Sequence, residues 1–104
     1  MFDIIEGCRH IEQFTSSIDF EKYTNDALIK SAVERHFINI GEALNRIKQS
    51  GSKIFETITD AAQIIGFRNI LVHGYDVVSD QLVWGIIVEN LPKLKAQCEK
   101  KLNL

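Results

Sequence analysis

One proline and six glycines are all that interrupt this chain of 104 residues. That scarcity of breakers constrains the fold more than any other feature. A chain of many short strands needs turn residues about every 8–12 positions, whereas long helices need few. The sequence has no internal repeat and no low-complexity stretch. Its length suits one compact domain, residues 1–104, and leaves no room for a second.

Periodicity then places the helices. Ile4, Ile5, Cys8, Ile11 and Phe14 or Thr15 recur at helical spacing, with Asp3, Glu6, Arg9 and Glu12 off the stripe; this predicts a helix over Phe2–Thr15. Thr15-Ser16-Ser17 reads as a cap or turn, and Asp19–Tyr23 as one short helical turn. The second long helix is expected from Asn25, its N-cap, to Gln49. Val33, Phe37, Ile40, Leu44 and Ile47 have the seam spacing of packed helices, and the small Ala32, Gly41 and Ala43 allow a neighbour to come close. Gly51 suits a left-handed stop.

Asp60 with Gln63 three residues on resembles a capping box, so a third helix should begin there. Its β-branched residues would also suit a buried strand, but the capping box and Gly74, in a position needing positive φ, favour a helix that ends at Gly74. The last helix is expected from Ser79 or Asp80 to about Leu102. Leu82, Val83, Ile86, Ile87, Asn90, Leu91, Leu94 and Cys98 form its inward stripe. Pro92 should kink it about a turn earlier, where its ring meets the carbonyl of Val88. The fold class is therefore all-α, an up-and-down bundle of four to five helices.

Composition limits the function. The hydrophobic share of 45% supports a core, and the net charge of −2 gives no global attraction to nucleic acid. Any RNA contact must come from a local site. Cys8 and Cys98 read as two buried thiols of a reducing cytosol rather than a disulfide. The acidic start lacks the bases of a secretory signal, and no apolar run reaches the roughly 18 residues of a bilayer span. A cytoplasmic protein without a membrane partner is expected.

One stretch carries chemistry. Arg68, Asn69 and His73 are polar residues in an otherwise apolar helix. Asn69 and His73 share a face, and Arg68 lies about 140° around and about 7.5 Å below His73. Arg68 can grip a phosphate with a bidentate fork. His73 falls in the last helical turn, where the dipole favours a protonatable imidazole that can act as general acid or base. No spacing of carboxylates, cysteines or histidines suggests a metal, and no cofactor is implied. The arrangement points to metal-free phosphodiester chemistry through the RNA 2′-hydroxyl. Structural roles compete with this reading: such residues also serve as hydrogen-bonded supports, Trp84 as core or interface, His10 and His36 as surface residues, and Glu34, Arg35, Glu42 and Arg46 as a solvated face.

The segment Arg68-Asn69-Ile70-Leu71-Val72-His73-Gly74-Tyr75 resembles the Arg-x4–6-His motif of the HEPN superfamily, and its His-Gly-Tyr ending resembles the HepT-like branch. Asp26–Arg35, Asn39–Ala43, Val83-Trp84 and Asn90-Leu91-Pro92 with Leu94 resemble that branch's second and last helices. The resemblance implies a homodimer that brings two copies of the motif into one cleft. It implies a ribonuclease toxin paired with a minimal nucleotidyltransferase antitoxin, which adds AMP to the motif's tyrosine. By position, Arg68 would bind phosphate, His73 would transfer protons, Asn69 would support the site, Glu42 would orient Arg68, and Tyr75 would be modified. The N-terminus looks short for this branch, so part of the first helix is expected to be missing. Two other readings stay open: a non-catalytic partner presenting nucleotide or substrate to a nucleotidyltransferase, and a structural dimer whose motif is a folding feature.

Overall fold

The computed structural model describes residues 1–74 and 78–103. Among them are the helices α1 (Phe2–Thr15), α2 (Phe20–Thr24), α3 (Ala27–Gln49), α4 (Ala61–His73), α5 (Asp80–Gly85) and α6 (Leu91–Lys101). A 3-10 turn, Lys53–Thr57, links α3 to α4, and a π-helical turn, Ile86–Asn90, joins α5 to α6 into one continuous helix. No strand occurs among the described residues, and the fold is an all-α bundle. No described helix is long and apolar enough to cross a membrane.

The long α3 is the centre. It packs against α1 on one side and α4 on the other, and α1 in turn packs against α6. The expected seam of α3 is real: Val33, Phe37, Ile40 and Leu44 are buried. Phe37 meets Phe67 of α4 edge-on at 5.2 Å, a favoured aromatic geometry. Gly7 of α1 faces Ile40, and a Cβ there would stand 2.7 Å from the Ile40 Cγ1. Lys95 of α6 donates to Glu12 of α1 at 2.8 Å. Cys8 and Cys98 are free and buried in the core. Burial pushes the Cys8 thiol up to about 12, which makes it inert at neutral pH.

Several local expectations are corrected. The N-cap of α3 is Asp26 rather than Asn25: its carboxylate accepts from the Ile29 N–H, while Asn25 closes α2. The Asp60–Gln63 capping box does not form. Asp60 makes no side-chain cap bond; Asn90 of the π turn donates to Asp60 Oδ2 at 3.1 Å and to Gln63 Oε1 at 3.4 Å. Gly74 ends α4 with φ −71° and not a positive φ, and a Cβ there would collide with the Ile70 carbonyl oxygen. Gly51 is left-handed as expected, φ 75°. Leu82 lies outside the core, 46% exposed. The π turn occupies the turn before Pro92, where a ring without an N–H disturbs the i→i−4 ladder.

His10 and His36 are not isolated surface residues. Both are half-buried, their ring centroids 4.9 Å apart across α1 and α3, with Phe14 5.6 Å from His36. Burial, then the His10 and Arg35 charges, hold His36 below its ordinary 6.5. The unfolded chain therefore takes up that proton first on acidification. The stability contributed by the neutral ring is present above the unfolded pKa and is lost as pH falls through the depressed one. Melting temperatures measured from about pH 8 down to about pH 5 should fall on the acid side. Replacing His36 by Gln should flatten that slope.

Candidate functional site

The α3–α4 contact holds the polar residues of the sequence motif. At Gly41 of α3 the backbone is bare, and the aliphatic stem of Arg68 lies against it; a Cβ at 41 would collide with Arg68 Cβ and stand 2.6 Å from its Cγ. The stem is thus packed where α3 and α4 run closest, and only the head of the side chain reaches the surface. Arg68 is 23% exposed at its side chain.

The guanidinium is held from two directions. Its Nη2 donates to Glu42 Oε1 at 3.3 Å, and its Nη1 donates to Asn69 Oδ1 at 2.8 Å. Nε is buried and has no partner among the described residues. A guanidinium carries five N–H donors in a rigid fork, so this one keeps donors for a further ligand after both contacts are made. Glu42 is 42% exposed, so the ion pair is screened and adds little to stability. Its effect is geometric: it fixes the plane of the fork.

Five residues on, His73 occupies the last turn of α4 and is exposed. Asn69, one turn below it, is also exposed, as are Ile70 (49%) and Val72 (41%). Of this helix only Ala61, Ile64 and Phe67 are buried. One side of α4 therefore faces the core while the side bearing Asn69, Ile70 and His73 faces outward. Tyr75 lies outside the described residues. Arg68, Asn69 and Glu42 are brought together; His73 makes no hydrogen bond to that cluster among the described residues and is exposed. Among the described residues no group of three or more histidine, cysteine or acidic side chains could hold a metal.

Gly41 is the residue that the motif does not reveal. The sequence marks it as small, yet only the packed Arg68 stem shows what the missing side chain is for. A shallow groove of about 370 Å3 opens on a different part of the surface, between Gln63 of α4 and the α5–α6 helix, and contains neither Arg68 nor His73.

Residues 4–101 match the model of the family described as "Ribonuclease HepT-like". The chain is 33% identical over 95% of its length to "Putative RNase MJ1380" of Methanocaldococcus jannaschii, covering 90% of that protein. It is 31% identical over 96% of its length to "Putative RNase MJ1216" of the same organism, covering 82% of it. To "Probable ribonuclease HepT" of Thermococcus cleftensis it is 33% identical over 94% of its length, covering 88% of that protein. No solved structure matches the chain.

The collision at Gly41 involves two Cβ positions fixed by backbones, so no rotamer change relieves it. Gly41→Ala must part α3 from α4. Such overpacking costs about 1–3 kcal/mol, more than the roughly 1 kcal/mol an alanine gains in helix propensity. The variant should melt several degrees lower than the parent by calorimetry or circular dichroism. An unchanged or higher melting temperature would show that the close approach is unnecessary.

Proposed function

The chain belongs to the HepT-like ribonuclease family and is a ribonuclease; we propose that it is a metal-independent RNA endonuclease toxin whose site is completed by a second copy of the chain. The observation that carries this reading is the held guanidinium of Arg68 with spare donors, one and a half turns from an exposed imidazole.

The chemistry comes from those two groups. His73 removes the proton of an RNA 2′-hydroxyl as the oxygen attacks the adjacent phosphorus. The P–O5′ bond breaks, the 5′ oxygen takes up a proton, and the products are a 2′,3′-cyclic phosphate and a 5′-hydroxyl end. Charge grows on the non-bridging oxygens during the attack. Arg68 meets it with N–H donors already oriented by Glu42 and Asn69, so little reorganisation is needed at the transition state. One imidazole serves as base, and the imidazole of a second protomer is available as acid.

A homodimer is supported by the uncovered face of α4. Ile70, on the same side as Asn69 and His73, leaves apolar surface beside the site, and a domain this small gains stability from a partner. On this reading the two α4 helices face each other and the two Arg68–His73 sets line one cleft. Tyr75 would then be the target of a minimal nucleotidyltransferase antitoxin. An added AMP beside Arg68 brings a phosphate that competes with RNA for the same donors.

Purified protein should cleave single-stranded RNA in excess EDTA and leave cyclic phosphate ends. Arg68→Ala and His73→Ala should each lower the rate by at least about 100-fold while keeping the parental circular dichroism spectrum. Full cleavage by both variants removes the site assignment. Co-expression with a neighbouring nucleotidyltransferase should add one or more AMP masses to the peptide containing Tyr75; a neutralised pair with unmodified Tyr75 removes that mode of control.

A further inference from the structure

The long helices share close seams between α4 and α3, α3 and α1, and α1 and α6, but among the described residues α4 has no comparable seam with α6. The open side is the groove of about 370 Å3, within the roughly 300–1,000 Å3 range of small-ligand sites. Its apolar strip is formed by Leu82 and, a turn on, Gly85, with the edge of the nearly buried Ile86 beneath. Gln63 and Asn90 stand on its rim, with Gln81 nearby and Glu89 and Lys93 toward the α6 end.

Three features suit this groove to a flat, polar-edged ligand. Gly85 is a helix-interior glycine whose missing side chain meets nothing within 4 Å, so close packing does not account for it. Glycine weakens a helix relative to alanine, and here it leaves the strip bare. Second, the amides are oriented: Asn90 donates to both Asp60 and Gln63, which leaves the Gln63 amino group and the Asn90 carbonyl for a ligand. Third, Glu89 and Lys93 make no ion pair among the described residues. A carboxylate acceptor and an ammonium donor therefore remain available at one end.

We propose that this groove is a nucleobase subsite for the RNA strand that is cut at Arg68 and His73. The inference rests on the ribonuclease reading above. The base lies on Leu82, Gly85 and Ile86, its edge meets the amides and Glu89, and Lys93 takes a backbone phosphate outside. Guanine fits best, because its Watson–Crick edge offers two adjacent N–H donors to one carboxylate. Gln63 and His73 are ten residues apart on α4, about 15 Å along the axis. A single strand of several nucleotides can cover that span. The ligand is a single strand, since only unstacked bases present this edge.

The test maps cut sites on a random-sequence single-stranded RNA pool. The intact parent protein should enrich guanine at one fixed position relative to the cut. Glu89→Gln should reduce that enrichment about tenfold. Gly85→Ala should raise the melting temperature and still lose the enrichment, which separates the effect from misfolding. A parent that cuts without flanking preference, or variants that keep it, overturns the subsite. Should the parent cut no RNA, the ribonuclease reading falls. The groove is then judged by fluorescence anisotropy with fluorescein-labelled RNA: equal affinity for strands with and without guanine, in parent and Glu89→Gln alike, overturns it too. Sedimentation showing that Gly85→Ala shifts a monomer–dimer equilibrium with base preference intact assigns the groove to a second copy and also overturns it.

Discussion

The arrangement depends on three consecutive residues of α3. Ile40, Gly41 and Glu42 are each rotated by about 100° from the last, and each meets a different demand. Ile40 packs against the bare backbone of Gly7 and sets the distance to α1. Gly41 offers its own bare backbone to the Arg68 stem and sets the distance to α4. Glu42 then has the length to reach the guanidinium that the stem presents. Desolvating a cation is costly unless hydrogen bonds replace water. The Arg68 head is therefore left near the surface, with only its stem and Nε buried. Packing fixes where the charge sits, and the weak ion pair fixes how it is turned.

Much of this was legible because it was local. The amphipathic stripes of α1 and α3 are strong, and their bounds come from pattern alone: Phe2–Thr15 agrees at both ends, and α3 ends at Gln49. Arg68, Asn69 and His73 are near neighbours in sequence, so a shared helix put them within reach of one another. Glu42 was within reach only through the family resemblance, since nothing local ties it to a residue 26 positions away. Two of the misreadings share one cause, a partner distant in sequence. Asp60 and Gln63 have the right spacing for a capping box, but Asn90 competes for both side chains across the bundle. His10 and His36 look unpaired along either helix and meet only when α1 and α3 cross. Asn25 and Asp26 are both competent caps, and which is used depends on where the α2 turn closes.

The behaviour of α4 explains why its pattern was the hardest to read. Its apolar residues run almost all round, with Ile64 and Phe67 inward and Ile70 and Val72 outward. A helix apolar on all sides belongs in an interior, yet this one has α3 on one side and no described helix packed over Asn69, Ile70 and His73. The apolar density that blurs helix against buried strand arises because it continues beyond the face that α3 covers. Gly74 belongs to the same logic. It ends the helix by letting the chain turn close to the Ile70 carbonyl, and this close approach needs a bare α-carbon without a left-handed backbone.

The far side of the bundle is shaped by Pro92. Its missing N–H and bulky ring are incompatible with an undisturbed α ladder one turn earlier, and the i→i−5 bonding of Ile86–Asn90 absorbs the mismatch. A π turn adds a residue to one turn and so rotates the helix on its C-terminal side relative to the helix on its N-terminal side. Leu91, Leu94 and Cys98 stay in the core after that turn, as Val83 does before it and Ile86 and Ile87 within it. Asn90 emerges on the side of α4 and bridges Asp60 and Gln63. At that point polar bridges tie the start of α6 to the start of α4. A proline that serves only to bend a helix needs no such bridge. Here the π turn and the amide network together keep an open, hydrogen-bonding surface beside a helix whose other end carries His73.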